Sequence, residues 1–252
     1  MVNQKNKIVL PNINLSVVVP VFNEEDNIEL LTREIRLVLD NITPYEIIFI
    51  DDCSDDSTLE KLIELNRGVE KLRVLSHERR SGQSAAIRSG VKAANGEFVV
   101  TLDGDGQNDP SDIPNLLAAY EGNIRTQKNI MICGERFKRK DNFAKRFSSK
   151  IANSIRSSLL GDLTSDSGCG LKLFRASDFM ELPDFDHMHR FLPALMIRNG
   201  GKVISIKVSH RSRKRGKSKY GVLDRLWVGI FDLFGMLWLR CRPINTEVKE
   251  LE

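Results

Sequence analysis

The chain has 252 residues and a mass of 28.6 kDa, with 41% hydrophobic and 29% charged residues, a balance that excludes a disordered, collagen-like or disulfide-dense small protein. Its four cysteines are widely spaced without a CxxC pair and its four histidines show no metal-ligand spacing, which argues against a zinc site or disulfide framework and for a reducing compartment. The net charge of +4 is uneven, because residues 136–150 hold seven Lys/Arg against one acid and residues 207–219 hold seven against none. Those two basic stretches read either as solvated surface or as cradles for an anion or an anionic membrane.

Before Pro20 there is no apolar run long enough for a signal peptide. Nowhere do roughly 18 to 20 apolar residues follow without interruption, so a cytosolic protein is expected. The β-branched run LSVVVP (15–20) predicts a strand buried on both faces. Caps and acids at Asn23–Asp26 then predict a helix through about Leu39. YEIIFID (45–51) and LRVLSH (72–77) predict further strands, each followed by a helix, in 54–66 and 82–96; EFVVTLDGD (97–105) is a fourth strand. Strand–helix units of this length imply an α/β fold with a mostly parallel sheet and helices on both faces. Ligands of such sheets bind beyond the carboxyl ends of the strands. Asn23 and Glu24, Asp51 and Asp52, His77–Arg80 and Asp103–Gln107 all fall there.

Beyond Pro110 the pattern predicts a helix (111–120), a strand (129–136) and a long basic helix (about 142–160). The loop SDSGCG (165–170) leads into LKLFR; then come a helix around 189–199, a strand (202–210) and the basic loop RSRKRGKSKYG (211–221). The last element, 223–240, is apolar almost all round, with Trp227 and Trp238. It fits a buried helix and equally a helix lying in a bilayer interface, while its internal Asp232 makes it a poor membrane span. No repeat and no linker divides the chain, so one domain to about residue 222, then this helix and a polar tail to 252, is expected.

LDGDGQNDP carries the strongest chemical signal. Asp103 and Asp105 follow a buried strand with one glycine between them, and no Cys or His lies near. Carboxylate oxygens alone suit a hard ion such as Mg²⁺ or Mn²⁺, with Gln107 a neutral oxygen ligand; an acidic turn built on Asx hydrogen bonds is the alternative. After the first strand the chain reads PVFNEEDN, with neither GxGxxG nor GxxxxGK[ST]. Phosphates must therefore be neutralised by metal and arginine, not by a glycine-rich cradle.

VVVPVFNEEDN, IDDCSDDST, RRSGQSAAIRSG and LDGDGQNDP, in this order, resemble glycosyltransferase family 2. GERF, KRFSSKIANSIRSSLLGD, DSGCGLKLFR, HRFLPAL and RKRGKSKYG resemble its polyprenyl-phosphate branch; the resemblance covers about residues 14–240. It implies a GT-A (Rossmann-like) fold with a donor half (about 14–110) and an acceptor half (about 111–222), a nucleotide-sugar donor, a polyprenyl-phosphate acceptor, and Mg²⁺ or Mn²⁺ held by Asp103, Asp105 and Gln107. It further implies donor contacts from Pro20, Phe22, Glu24, Asp52, Gly82 and Asp103, with Arg213 and Lys219 near the diphosphate. Arg136, Arg146 and Ser149 match positions near the acceptor phosphate, and Asp166 matches an orienting carboxylate. In LDGDGQ, Gly104 stands where the family commonly has Ala, and Cys169 stands where Ser is usual. A lipid acceptor implies peripheral docking on the cytoplasmic face of the inner membrane, through the 223–240 helix and the basic loops. A family 2 enzyme with a sugar-hydroxyl acceptor fits less well, because no ED segment or QxxRW-like motif is present. A nucleic-acid-binding protein fits less well still: the 207–221 stretch has one aromatic and the chain has no reader motif, so no nucleic-acid partner is expected.

Overall fold

In a computed structural model the chain is described over residues 14–124, 129–137, 159–161, 164, 166–212 and 222–242, with the backbone alone at 222–228 and 230. The β-branched run forms β1 (Leu15–Val21), six of whose seven residues are buried. It is followed by α1 (Ile28–Leu39), β2 (Tyr45–Asp51), α2 (Thr58–Gly68), β3 (Leu72–Ser76), α3 (Gln83–Ala93), β4 (Phe98–Thr101) and α4 (Ile113–Ile124). The second half adds β5 (Ile130–Arg136), β6 (Lys172–Arg175), α5 (Ala176–Met180), α6 (Leu192–Arg198), β7 (Lys202–Val208) and α7 (Val222–Arg240).

The strands form one sheet in the order β3-β2-β1-β4-β6-β5-β7. Only β6 is antiparallel to its neighbours, β4 and β5. Successive side chains of a strand face opposite ways, so one continuous apolar run feeds two cores. Val17 and Val19 of β1, Ile47 and Phe49 of β2, and Phe98 and Val100 of β4 join α1 and α4 on one face. Val18, Ile48, Ile50 and Val99 join α3, α5 and α6 on the other. Burying each such side chain contributes about 1.5–3 kcal/mol, which is why β1, β2 and β4 carry no polar side chain beyond Ser16, Glu46, Thr101 and the Tyr45 hydroxyl until their carboxyl ends.

Three boundaries differ from the sequence reading, each for a local reason. Helix α1 starts at Ile28 and not near Asn23, because Asn23 is left-handed (φ 53°) and bonds the β2–α2 loop: its amide nitrogen donates to Ser54 Oγ and its side chain pairs with Asp55. Strand β4 ends at Thr101, since Leu102 onward turns into the acidic loop. Helix α6 starts at Leu192, with Pro193 in its first turn, after a short 3₁₀ turn at Met188–Arg190.

Helix α7 has two faces. Met236 is buried and Leu233, Leu237 and Leu239 pack on the second core, whereas Phe231, Phe234 and Trp238 are 72%, 67% and 64% exposed. Asp232 faces the protein, its Oδ2 3.1 Å from His187 Nδ1, at ion-pair distance but outside hydrogen-bond geometry. Among the described residues no helix is long and apolar enough to cross a membrane.

Candidate active site

The carboxyl ends of β1, β2, β3 and β4 meet at one edge of the sheet. Beyond β1, the Glu24 amide donates to Thr58 Oγ1 at 2.9 Å and its carboxylate accepts from Asn27 Nδ2 at 2.7 Å, so Glu24 ties the β1 loop to α2. Pro20 is half-buried within β1, and the Phe22 ring lies beneath the Arg80 guanidinium at 4.1 Å.

Asp52 is buried and fully engaged. Its Oδ1 lies 2.8 Å from His77 Nδ1 and accepts from the Ser81 amide at 2.8 Å; its Oδ2 accepts from the Gly82 amide at 2.8 Å. The carboxylate thus pins the turn that opens α3. Gly82 sits at φ +88°, a conformation that a residue with a Cβ adopts only under strain. Together Asp52 and Gly82 shape this wall of the site.

Past β4, Asp103 Oδ1 accepts from Gln83 Nε2 at 2.9 Å, and its amide donates to Asn108 Oδ1 at 3.2 Å. Its carboxylate lies so close to Gly170 that a Cβ there would come within 2.2 Å of Oδ2. Asp105 Oδ1 accepts from the Gln107 amide at 3.1 Å. Gln107 Nε2 reaches the Arg211 carbonyl at 3.4 Å, and the Arg211 amide returns a bond to the Gln107 carbonyl at 2.9 Å. Burial, reinforced by the charge of Asp105, pushes the Asp103 carboxyl up to about 6. Two carboxylates that repel each other, backed by amide oxygen and with no thiolate or imidazole beside them, fit a hard divalent cation completed by ligand oxygens. Among the described residues no group of three or more acidic, His or Cys side chains makes a protein-only metal cage.

Arg136 ends β5 and meets Asp166 in a two-pronged pair. Nε donates to Oδ2 and Nη2 to Oδ1, both at 2.6 Å, and the Arg136 amide adds a bond at 3.2 Å. The side chains are only 16% and 9% exposed. Arg146, Ser149, Arg213 and Lys219 lie outside the described residues, as do most of the basic helix and basic loop.

A cavity of roughly 620 Å³ opens on Asp103, lined by Gln83, Ser167, Lys172, His189 and Arg190 among others. The sequence reading gave Gln83, Lys172, His189 and Arg190 no site role beyond their place in motifs such as HRFLPAL. Lys172 stands within a short apolar strand run, so only the sheet order reveals that it faces the cavity. His189 is half-buried, and desolvation, helped by the nearby charge of Arg190, pulls its imidazole down to about 3 and keeps it neutral. Ser84 Oγ lies 2.7 Å from its Nδ1 and accepts its amide at 3.2 Å, an arrangement in which the hydroxyl donates to Nδ1 and the ring proton is on Nε2.

Comparison with known proteins agrees with this geometry. The model of the Glycosyl transferase family 2 family matches residues 16–182. A dodecaprenyl-phosphate galacturonate synthase of Rhizobium johnstonii is 34% identical over 92% of this chain and 70% of its own length. An undecaprenyl-phosphate 4-deoxy-4-formamido-L-arabinose transferase of Edwardsiella ictaluri is 34% identical over 83% of this chain, which spans 63% of that relative. Among solved structures, glucosyl-3-phosphoglycerate synthase from Mycobacterium tuberculosis in complex with Mn²⁺, UDP and glucosyl-3-phosphoglycerate superposes with a TM-score of 0.67 at 21% identity, over 91% of this chain and 80% of that one. The same enzyme with Mg²⁺ and UDP gives 0.66 at 20% identity, over the same shares of the two chains. These superpositions show that the sheet and helices have the GT-A arrangement.

Proposed function

The chain belongs to glycosyltransferase family 2, and on that premise we propose that it moves a sugar from a nucleoside diphosphate to a polyprenyl phosphate with inversion at the anomeric carbon. The observation that carries this reading is the Asp103–Asp105 pair beyond β4, with Asp103 on the wall of a cavity that the cations Lys172 and Arg190 also line. The names of the two relatives, each a transferase to a polyprenyl phosphate, support the acceptor class.

A phosphate monoester has its second pKa near 6 and is largely dianionic at pH 7. Such a nucleophile needs no general base, unlike a sugar hydroxyl. One of its oxygens attacks the anomeric carbon, the bond from that carbon to the diphosphate oxygen breaks, and the electron pair leaves with the nucleoside diphosphate. Asp103, Asp105 and Gln107 would hold Mg²⁺ or Mn²⁺, which when bound supplies positive charge to the departing diphosphate. In this reading Pro20, Phe22, Glu24 and Gly82 border the nucleoside site, Asp52 holds its α3 wall in place, and Asp166 orients Arg136 without taking a proton. Arg213 and Lys219 are proposed for the diphosphate, and Arg146 and Ser149 for the acceptor side.

The test is transfer of radiolabelled sugar from a panel of UDP- and GDP-sugars into butanol-extractable undecaprenyl phosphate. Label in the lipid phase, abolished by a chelator and restored by Mg²⁺ or Mn²⁺, is the expected result. Metal-dependent hydrolysis of one nucleotide sugar without a lipid product would move the acceptor elsewhere, and no binding of any nucleotide sugar would overturn the reading.

We also propose that the chain docks peripherally on the cytoplasmic leaflet. Phe231, Phe234 and Trp238 recur at helical spacing on the exposed face of α7. Aromatic rings on such a face partition into the headgroup region, and Lys/Arg-rich segments add attraction to anionic lipid. Flotation with anionic vesicles at low salt should carry the wild-type chain upward and leave a Phe231→Ser, Phe234→Ser, Trp238→Ser variant at the bottom. Equal flotation of both would remove α7 from the docking surface.

A further inference from the structure

Most half-buried arginines among the described residues find carboxylates, and Arg198 instead donates to the Leu239 and Arg242 carbonyls. Arg73 pairs with Glu46 at 2.6 Å, Arg136 with Asp166 at 2.6 Å, and Arg211 with Glu34 and Asp109 at 2.7 and 2.8 Å. The wall that the second half of the chain contributes to the Asp103 cavity breaks this pattern. Lys172 is only 4% exposed, yet its ammonium donates to the Cys169 carbonyl and has no carboxylate within ion-pair distance among the described residues, Asp103 acting on it only from farther across the cavity. Arg190 is half-buried, lines the same cavity, and its guanidinium has no hydrogen-bond or ion-pair partner among the described residues. A desolvated cation without a direct carboxylate partner is costly. Two of them on one cavity wall make a site prepared for an anion, and an Arg–Lys pair suits the several oxygens of a phosphate.

We propose that Lys172 and Arg190, with the Nε2–H of His189 as a neutral donor, form an oxyanion site that binds the phosphate of the acceptor. The inference rests on the transferase reading for the identity of the ligand, but not for the existence of the site. Apart from Arg213 and Lys219, the donor contacts proposed above come from the first half of the chain, at the ends of β1 and β2 and the start of α3. Lys172 begins β6, and His189 and Arg190 form the 3₁₀ turn before α6, so all three belong to the second half. Ser84 of α3 holds His189 against the donor wall. That contact brings the two sets of residues to one cavity around Asp103, as transfer between two bound anions requires. Arg136 does not fill this role by itself, since two of its guanidinium nitrogens are taken by Asp166.

The experiment compares wild type with Lys172→Met, Arg190→Gln and Arg190→Lys, using farnesyl phosphate as a soluble acceptor and inorganic phosphate as a calorimetric probe. The KM for farnesyl phosphate should rise about tenfold or more in Lys172→Met and Arg190→Gln, with partial recovery in Arg190→Lys, while the KM for the nucleotide sugar stays within about twofold. A rise in the donor KM alone would assign the pair to the donor's diphosphate or to a carboxylate on its sugar and overturn the proposal. Unchanged values for both substrates would overturn it too. Inorganic phosphate should bind wild type and be lost in Arg190→Gln, a readout that needs no turnover. If that loss occurs while no nucleotide sugar is used, the oxyanion site stands and the transferase reading falls; equal phosphate binding by both proteins removes the site. Arg190 is on the cavity wall, not in the core, so its variants carry the test if Lys172→Met fails to fold.

Discussion

Replacing Asp105 with alanine is expected to lower kcat/KM by on the order of 10³-fold, since metal stabilisation of a leaving diphosphate is worth several kcal/mol and each 1.36 kcal/mol is tenfold in rate. Stability should hold or rise slightly. The Asp105 carboxylate accepts one local hydrogen bond, from the Gln107 amide, worth about 1 kcal/mol. Against that small loss, its removal relieves the repulsion on the half-buried Asp103 carboxylate. A residue whose deletion harms turnover but not folding is kept for function, and the opposed signs make the prediction sharp. The check is initial rate against Mn²⁺ concentration, alongside thermal melting without metal. A variant that retains more than about a tenth of wild-type activity would place the metal away from LDGDGQ.

Asp166→Ala should have the largest effect on stability. Arg136 and Asp166 share two charge-assisted hydrogen bonds and are almost wholly enclosed, so removing the carboxylate strands a guanidinium in a poorly solvated place. Breaking one partner of a buried pair costs about 3–5 kcal/mol, while replacing both by apolar groups is often far milder. Urea unfolding of Asp166→Ala, Arg136→Met and the double variant should therefore show strong coupling, with the double variant more stable than Asp166→Ala. At roughly 2–4 °C per kcal/mol for a domain of this size, the single change should lower the melting midpoint by roughly 10 °C. Additive losses below about 1 kcal/mol each would mean that the pair is solvated. Transfer should fail as well, because Arg136 loses the group that orients it beside Gly168, whose Cβ position is 3.4 Å from Nη2.

Much of the architecture was legible because burial in strands leaves a local mark. LSVVV and EIIFI are apolar at every position but Ser16 and Glu46 since both faces of the sheet are covered, and the change to polar residues at Asn23, Asp52 and Asp103 marks where the strands leave the core. The same locality made the acidic loop readable, as Asp103, Asp105 and Gln107 lie within five residues of one another. Helix α7 left its two possibilities open because both of its faces are apolar. Packing of Leu233, Met236 and Leu237 on the second core decided which aromatics remain exposed.

What the chain order could not convey is pairing across distance. Asp52 was read as a ligand contact from its place at the strand end alone; its partners His77, Ser81 and Gly82 reach it only when β3 and the start of α3 fold beside β2. Asp166 and Arg136 are 30 residues apart and meet across the strands that the second half adds to the sheet. Insertion of β6, antiparallel, between β4 and β5 brings Gly170 against Asp103 and sets Lys172 at the cavity. The sequence by itself determined the strand–helix repeat, the acidic loop after β4 and the family, because each is written in consecutive residues. The tertiary structure alone decided which charges are satisfied within the protein and which are left for a ligand, because that depends on counter-charges brought together by the order of strands in the sheet.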